Sequence, residues 1–153
     1  MARKLPLQYQ QRIPYELLSG LANCLLNETI FRIVEGLTEI QQVTEKQLLQ
    51  QRLQLLHRHK AEKDSLAKNS AIHPFPGLDM AEDPEMTGLL SRQKAELNQA
   101  DMNLILQIDQ LVVDQQTALE KAGVPGFYQS NNPQEIKVQM YLLEFILKLS
   151  KES

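Results

Sequence analysis

Apolar residues recur along this chain at intervals of three and four, the spacing that gathers them on one face of an α-helix. The first such face is Leu17, Leu18, Leu21, Cys24 and Leu25, preceded by Pro14, whose missing N–H costs nothing in a first helical turn. A helix over about 14–26 is predicted. Asn27 suits the N-cap of the next helix, with Glu28 in its first turn. Ile30, Ile33, Val34, Leu37 and Ile40 then form one stripe and Leu48, Leu49, Leu53 and Leu56 a second. The two stripes are offset around Val43 and Thr44, like a stutter in a coiled-coil seam. The helix is predicted over 28–63, on the order of 50 Å long, which suits a protruding hairpin better than a small globule. Gly36 inside it costs about 1 kcal/mol against Ala and is expected to mark the close approach of a neighbouring helix.

A third helix is predicted over 86–122. Leu97, Leu104, Ile108, Leu111, Ala118 and Ala122 follow heptad-like spacing, supported by Ile105, Val112 and Leu119. Asp101 and Gln115 fall at seam positions, where a polar residue weakens a coil but fixes its register. Gly123 is the expected C-terminal cap, with Pro125 just beyond. Asn132, Pro133 and Glu135 read as N-cap, first position and third position of a last helix over 133–150, close to a capping box. That helix carries Ile136, Met140, Leu143 and Leu147 on one face and Val138, Leu142, Phe145 and Leu149 on another, so it is buried between neighbours or meets a partner. Residues 1–12 are Gln-rich and expected to fray. Residues 64–85, with His73-Pro74-Phe75-Pro76-Gly77 and Asp83-Pro84, read as a flexible connection. The fold expected is all-α and a single domain over 1–153. The second and third helices pair antiparallel as a coiled-coil hairpin arm, and the first and last close a helical bundle base where 30–40 meets 108–122.

Composition agrees with long helices. There is no Trp and aromatic residues make up 5%, so large core fillers are scarce. A net charge of −3 with both signs interspersed gives no electrostatic footprint for nucleic acid. The one cysteine, Cys24, lies in an apolar pattern and is read as a buried, inert thiol. The N-terminus lacks the apolar segment of a signal peptide, and no apolar run reaches the roughly 20 residues of a membrane span. The expectation is an intracellular chain, nuclear or cytoplasmic, without membrane contact.

Chemistry finds little to stand on. His57 and His59 point about 200° apart on a helix, whereas chelation there uses i and i+4, so both are read as solvated. His73 has no second ligand nearby. Ser19 and Ser91 lack the nucleophile-elbow pattern, no glycine-rich phosphate loop occurs, and Glu35, Glu39, Glu45 and Asp114 sit at ordinary solvated spacings. No catalytic, cofactor-binding or metal residue is assigned, and no enzyme is expected. The cluster Arg52, His57, Arg58, His59, Lys60 and Lys63 suits the C-terminal end of a helix, where cations complement the dipole.

The candidate partner-binding residues are Val124, Phe127 and Tyr128 in the loop at 123–128, with Leu142, Phe145 and Leu149 on the last helix. Two readings stand side by side: the aromatics plug the end of the bundle, or they anchor a partner. The function expected is an adaptor or scaffold that binds another protein through apolar helical faces. A structural homo-oligomer is the alternative, and a nucleic-acid-associated nuclear factor is a weaker third.

Two blocks carry a family likeness. One runs from Gln11-Arg12-Ile13 through Thr29-Ile30-Phe31-Arg32-Ile33-Val34-Glu35-Gly36-Leu37 to Thr44-Glu45-Lys46 and Gln51-Arg52-Leu53. The other is Asp114-Gln115-Gln116-Thr117-Ala118-Leu119-Glu120-Lys121-Ala122-Gly123-Val124-Pro125-Gly126-Phe127-Tyr128, continuing through Asn132-Pro133-Gln134-Glu135-Ile136 to Leu142-Leu143-Glu144. Together they resemble the gonadal and DiGeorge-critical-region protein family over about two-thirds of the chain, while 60–100 departs from it. The resemblance implies a helical, non-enzymatic protein acting in development of the gonad or neural-crest derivatives, often nuclear, with no cofactor or catalytic residue to carry over.

Overall fold

The computed structural model describes residues 2–71 and 83–152, and all regular structure among them is helical. A 3-10 turn at Ala2–Lys4 leads into α1 (Leu7–Gln10), α2 (Tyr15–Cys24), α3 (Glu28–Ala71), α4 (Pro84–Lys121) and α5 (Pro133–Glu152). The contacts gather into two compact units, 1–43 with 109–153 and 44–108. The long helices α3 and α4 pack together.

The first unit holds the buried core: Ile13, Leu21 from α2, Ile30 and Val34 from α3, Leu119 from α4, Val124 and Phe127 from the loop, and Val138, Leu142, Phe145 and Ile146 from α5. Leu17, Leu18, Cys24 and Leu25 pack against it, so the predicted face of α2 is the one it buries. Pro14 stands one position before α2 as an extended N-cap (φ −69°, ψ 164°). The N-terminal segment is not frayed. Leu5, Tyr9 and Ile13 recur at i, i+4 and i+8, Gln10 Nε2 donates to the carbonyls of Arg3 and Leu5, and the Tyr9 ring meets Tyr141 edge-on at 5.2 Å.

Asn27 caps α3 as its sequence predicts, Oδ1 accepting from the Thr29 N–H at 3.0 Å. The helix then continues to Ala71 rather than stopping near Lys63, because residues 60–71 contain no Gly or Pro and Leu66 keeps one more half-buried apolar position in place. Residues 72–82 of the expected connection lie outside the described residues.

The end of α4 is a Schellman motif. Gly123 takes φ 79°, its N–H donates to Glu120, and the Val124 N–H donates to Leu119 at 3.0 Å, while the Val124 and Leu119 side chains are both buried. Gly126 takes φ 88°, and a Cβ built there would lie 2.8 Å from Leu142 Cδ1 and 3.1 Å from Leu17 Cδ1. Asn132 caps α5, accepting from the Gln134 N–H at 2.9 Å. Glu135 does not close a direct capping box: Ser130 Oγ accepts from the Asn132 N–H and donates to Glu135, so a hydroxyl relays the bond.

Gly36 is the clearest departure from expectation. A Cβ there would meet nothing within 4 Å, so no helix approaches it. The two glycines therefore predict opposite results. Gly126→Ala, which combines positive φ with a clash, is expected to destabilise the chain by on the order of 3 kcal/mol. Gly36→Ala is expected to stabilise it by about 0.5–1 kcal/mol through backbone entropy alone. Urea unfolding of both variants checks the pair.

Candidate interaction surfaces

In the first unit the loop at 123–128 is held from both sides. Gln116 and Gln139, both buried, bond to each other at 2.9 Å. Gln116 also donates to the Ser130 carbonyl and accepts from the Ser130 N–H, and Gln139 donates to the carbonyl of Tyr128. Two buried amides thus satisfy backbone groups of Tyr128 and Ser130, which would otherwise lose their hydrogen bonds on leaving water.

Of the six partner-binding candidates, Val124, Phe127, Leu142 and Phe145 sit at 7% exposure or less within the core. All four belong to the packed interior of the first unit. Tyr128 (44%) and Leu149 (40%) reach solvent. Tyr128 lines a small pocket with Arg12, Leu17 and Glu135, and burial together with the Glu135 carboxylate pushes its phenol up. Cys24 is half-buried against the core, and burial pushes its thiol up, away from reactivity.

In the second unit, polar side chains link α3 to α4. Arg52 Nε donates to Asp101 at 2.9 Å, His59 Nε2 lies 3.0 Å from Glu96 Oε2, and Arg92 bridges to Glu62 at 3.3 Å. Arg58 also bonds Glu96. Gln93, 4% exposed, donates to both the His59 carbonyl and Glu62 at 3.0 Å. Partner positions on α4 fall from 101 to 92 as those on α3 rise from 52 to 62, so the helices run antiparallel. In the first unit Gln115 donates to Gln41 at 2.8 Å, so that seam glutamine finds a polar partner across the helix pair.

His59 corrects the sequence reading. It is 5% exposed and faces α4, whereas His57, two residues earlier, is on the solvated side. The 200° between them, which argues against chelation, is the same angle that sends one inward. Among the described residues no three His, Cys, Asp or Glu side chains come together as a metal site.

Among the polar residues that the long helices leave outside stand several large apolar ones. Leu49 (57%), Leu53 (44%), Leu90 (44%), Met102 (59%), Ile105 (55%) and Leu106 (63%) are all exposed in the second unit, and Ile40 (55%) and Val43 (57%) in the first. The predicted stripe through Leu48, Leu49, Leu53 and Leu56 therefore divides: Leu48 enters the seam at 4% exposure, while Leu49 and Leu53 stay out. Isolated exposed leucines are ordinary; here several lie on the same two paired helices. No single helix among the described residues is long and apolar enough to cross a membrane.

A model of the family described as DiGeorge syndrome critical region 6 protein matches residues 1–153, including the 60–100 stretch that looked divergent. The chain is 43% identical to the chicken (Gallus gallus) protein DGCR6 over 159 residues, covering 99% of this chain and 80% of that protein. It is 42% identical to the gonadal protein gdl of Drosophila melanogaster over 153 residues, covering 97% and 73% respectively. No solved structure matches the chain.

Phe127→Ala is expected to cost roughly 3–5 kcal/mol as a core truncation, read as a lower thermal midpoint; an unchanged midpoint would return Phe127 to the role of anchor. Acid sensitivity follows from the second unit. Glu96 is held below the ordinary carboxylate value chiefly by its hydrogen bond with His59 and then by Arg58, and Glu62 chiefly by Gln93 and then by Arg92 and Arg58, with desolvation opposing in both. A carboxylate whose pKa falls on folding contributes stability above its unfolded pKa and loses it as pH drops through the folded value. Helix stability is expected to decline as pH falls past about 4.5, and less steeply in the double variant Glu62→Gln, Glu96→Gln. Circular dichroism across an acid titration measures both.

Proposed function

This chain belongs to the DiGeorge syndrome critical region 6 protein family, and on that footing we propose that it is a non-enzymatic adaptor or scaffold acting through helical protein–protein contacts. In this reading the first unit serves as a helical bundle base and the second as an antiparallel coiled-coil hairpin arm. The partner is another protein, met on apolar helical faces, and no cofactor takes part. The setting is intracellular, nuclear or cytoplasmic. The developmental context proposed is the gonad or neural-crest derivatives, and the name of the fly relative, a gonadal protein, supports the gonadal part of it.

The observation that carries the reading is the ridge on the outer side of α4. Met102 and Leu106, at i and i+4, are 59% and 63% exposed on a helix whose inner side is already engaged with α3. Long, unpartnered apolar side chains on a rigid helix suit the helix-in-groove mode of recognition, in which residues one turn apart anchor into a partner's groove.

Replacing Met102 and Leu106 together by Glu tests it, because neither side chain belongs to the core. Helicity and melting are expected to hold while proteins co-purified with the wild-type chain from cells are lost. If the double variant recovers the same set of proteins, the ridge is not the scaffold's contact.

A further inference from the structure

The apolar stripes of the second unit are wider than a pair of helices needs. A two-helix seam uses two positions in seven, while an added flanking position gives the three-in-seven face of helices in a larger bundle. On α3, Leu48 fills the seam, and Leu49 begins a flank that continues at i+4 and i+7 with Leu53 and Leu56. On α4, Leu90, Leu97 and Ile105 share a face by the same periodicity. The two flanks lie on one side of the pair, since Leu56, Lys60 and Lys63 line a single groove with Leu90, Lys94 and Leu97. The other side is mixed: Gln51, Asn103 and Gln107 line one recess, and Arg58, Glu62 and Arg92 line another together with Leu66 and Leu89.

We infer that the apolar side of the α3–α4 pair is covered by the same side of a second copy of this chain, so that two helix pairs make a four-helix bundle. The inference rests on the scaffold reading and names one occupant of its surfaces. Three features argue for a second copy. Among the described residues of the second unit the helices are α3 and α4, so the extra helices that a three-in-seven face demands are assigned here to another chain. The size is right: helices covering 44–71 and 84–108 are roughly 40 Å long and about 20 Å wide side by side, on the order of 800 Å², the area each partner contributes to a standard interface. A leucine-rich face is also complementary to itself, as an isologous two-fold contact requires. Charge then selects the arrangement. Lys60, Lys63 and Lys94 outnumber Asp64 at one end of the groove, so a parallel copy would stack cations on cations, whereas an antiparallel two-fold separates them.

The test is sedimentation velocity of the full chain over a concentration series, for the wild type and for single variants on each side. The wild type is expected to be a dimer at micromolar concentration. Leu53→Glu and Ile105→Glu add charge at positions 44% and 55% exposed in one copy, so helicity is expected to hold while the dissociation constant rises by at least about 100-fold. Leu49→Gln, a milder change on the same flank, is expected to weaken association less. Gln51→Glu and Asn103→Glu on the other side are expected to leave the mass unchanged. A wild-type monomer at every concentration overturns the inference and leaves the groove to a foreign helix. A dimer that survives Leu53→Glu and Ile105→Glu, or that the variants on the other side break equally, overturns it as well. The scaffold reading fails separately, through the Met102 and Leu106 ridge, whose loss is expected to leave the dimer intact.

Discussion

The polar pairs between α3 and α4 are the constraint on which the rest depends. Apolar seams tolerate slippage, because one leucine replaces another at little cost. Polar pairs do not, since a shift of one turn would strand a buried or half-buried donor without its acceptor. Arg52 with Asp101, His59 with Glu96, and Gln93 with Glu62 and the His59 carbonyl accept one register only. These contacts are half-exposed in large part, so they add little net stability; their effect is on specificity.

That register decides what the chain shows to solvent. Once Leu48 and His59 are turned into the seam, Leu49 and Leu53 are turned out of it, and Ile105 with them. A pair of helices has no third surface to cover these residues. The first unit solves the same problem internally: α2, α5 and the loop at 123–128 cover Ile30, Val34 and Leu119. There Val138, Leu142, Phe145 and Ile146 of α5 enter the core, and the buried Gln116 and Gln139 bond to each other and to the loop backbone.

Local signals were legible in the sequence wherever one residue type has one physical use. Asn27 and Asn132 cap helices, Gly123 ends one, and Asp101 and Gln115 find polar partners across a seam. Signals that depend on tertiary neighbours were not. Gly36 looks like a close approach because helix interiors avoid glycine, yet nothing is near it. His59 looks solvated in a basic run, and only the α4 partner Glu96 makes it interior. Phe127 fits a plug or an anchor equally until the positions of Leu142 and Phe145 are known, and it lies with them in the core. The Leu5, Tyr9, Ile13 periodicity was present, but a Gln-rich background concealed it.

The most direct test of the account is a charge swap across the seam, comparing Arg52→Asp, Asp101→Arg and the double variant by thermal melting at low salt. If the pairing fixes the register, each single reversal lowers the midpoint by placing like charges together, and the double variant recovers most of the loss. Losses that simply add in the double variant would mean that these side chains do not meet. The register, and with it the apolar side left outside the pair, would then be wrong.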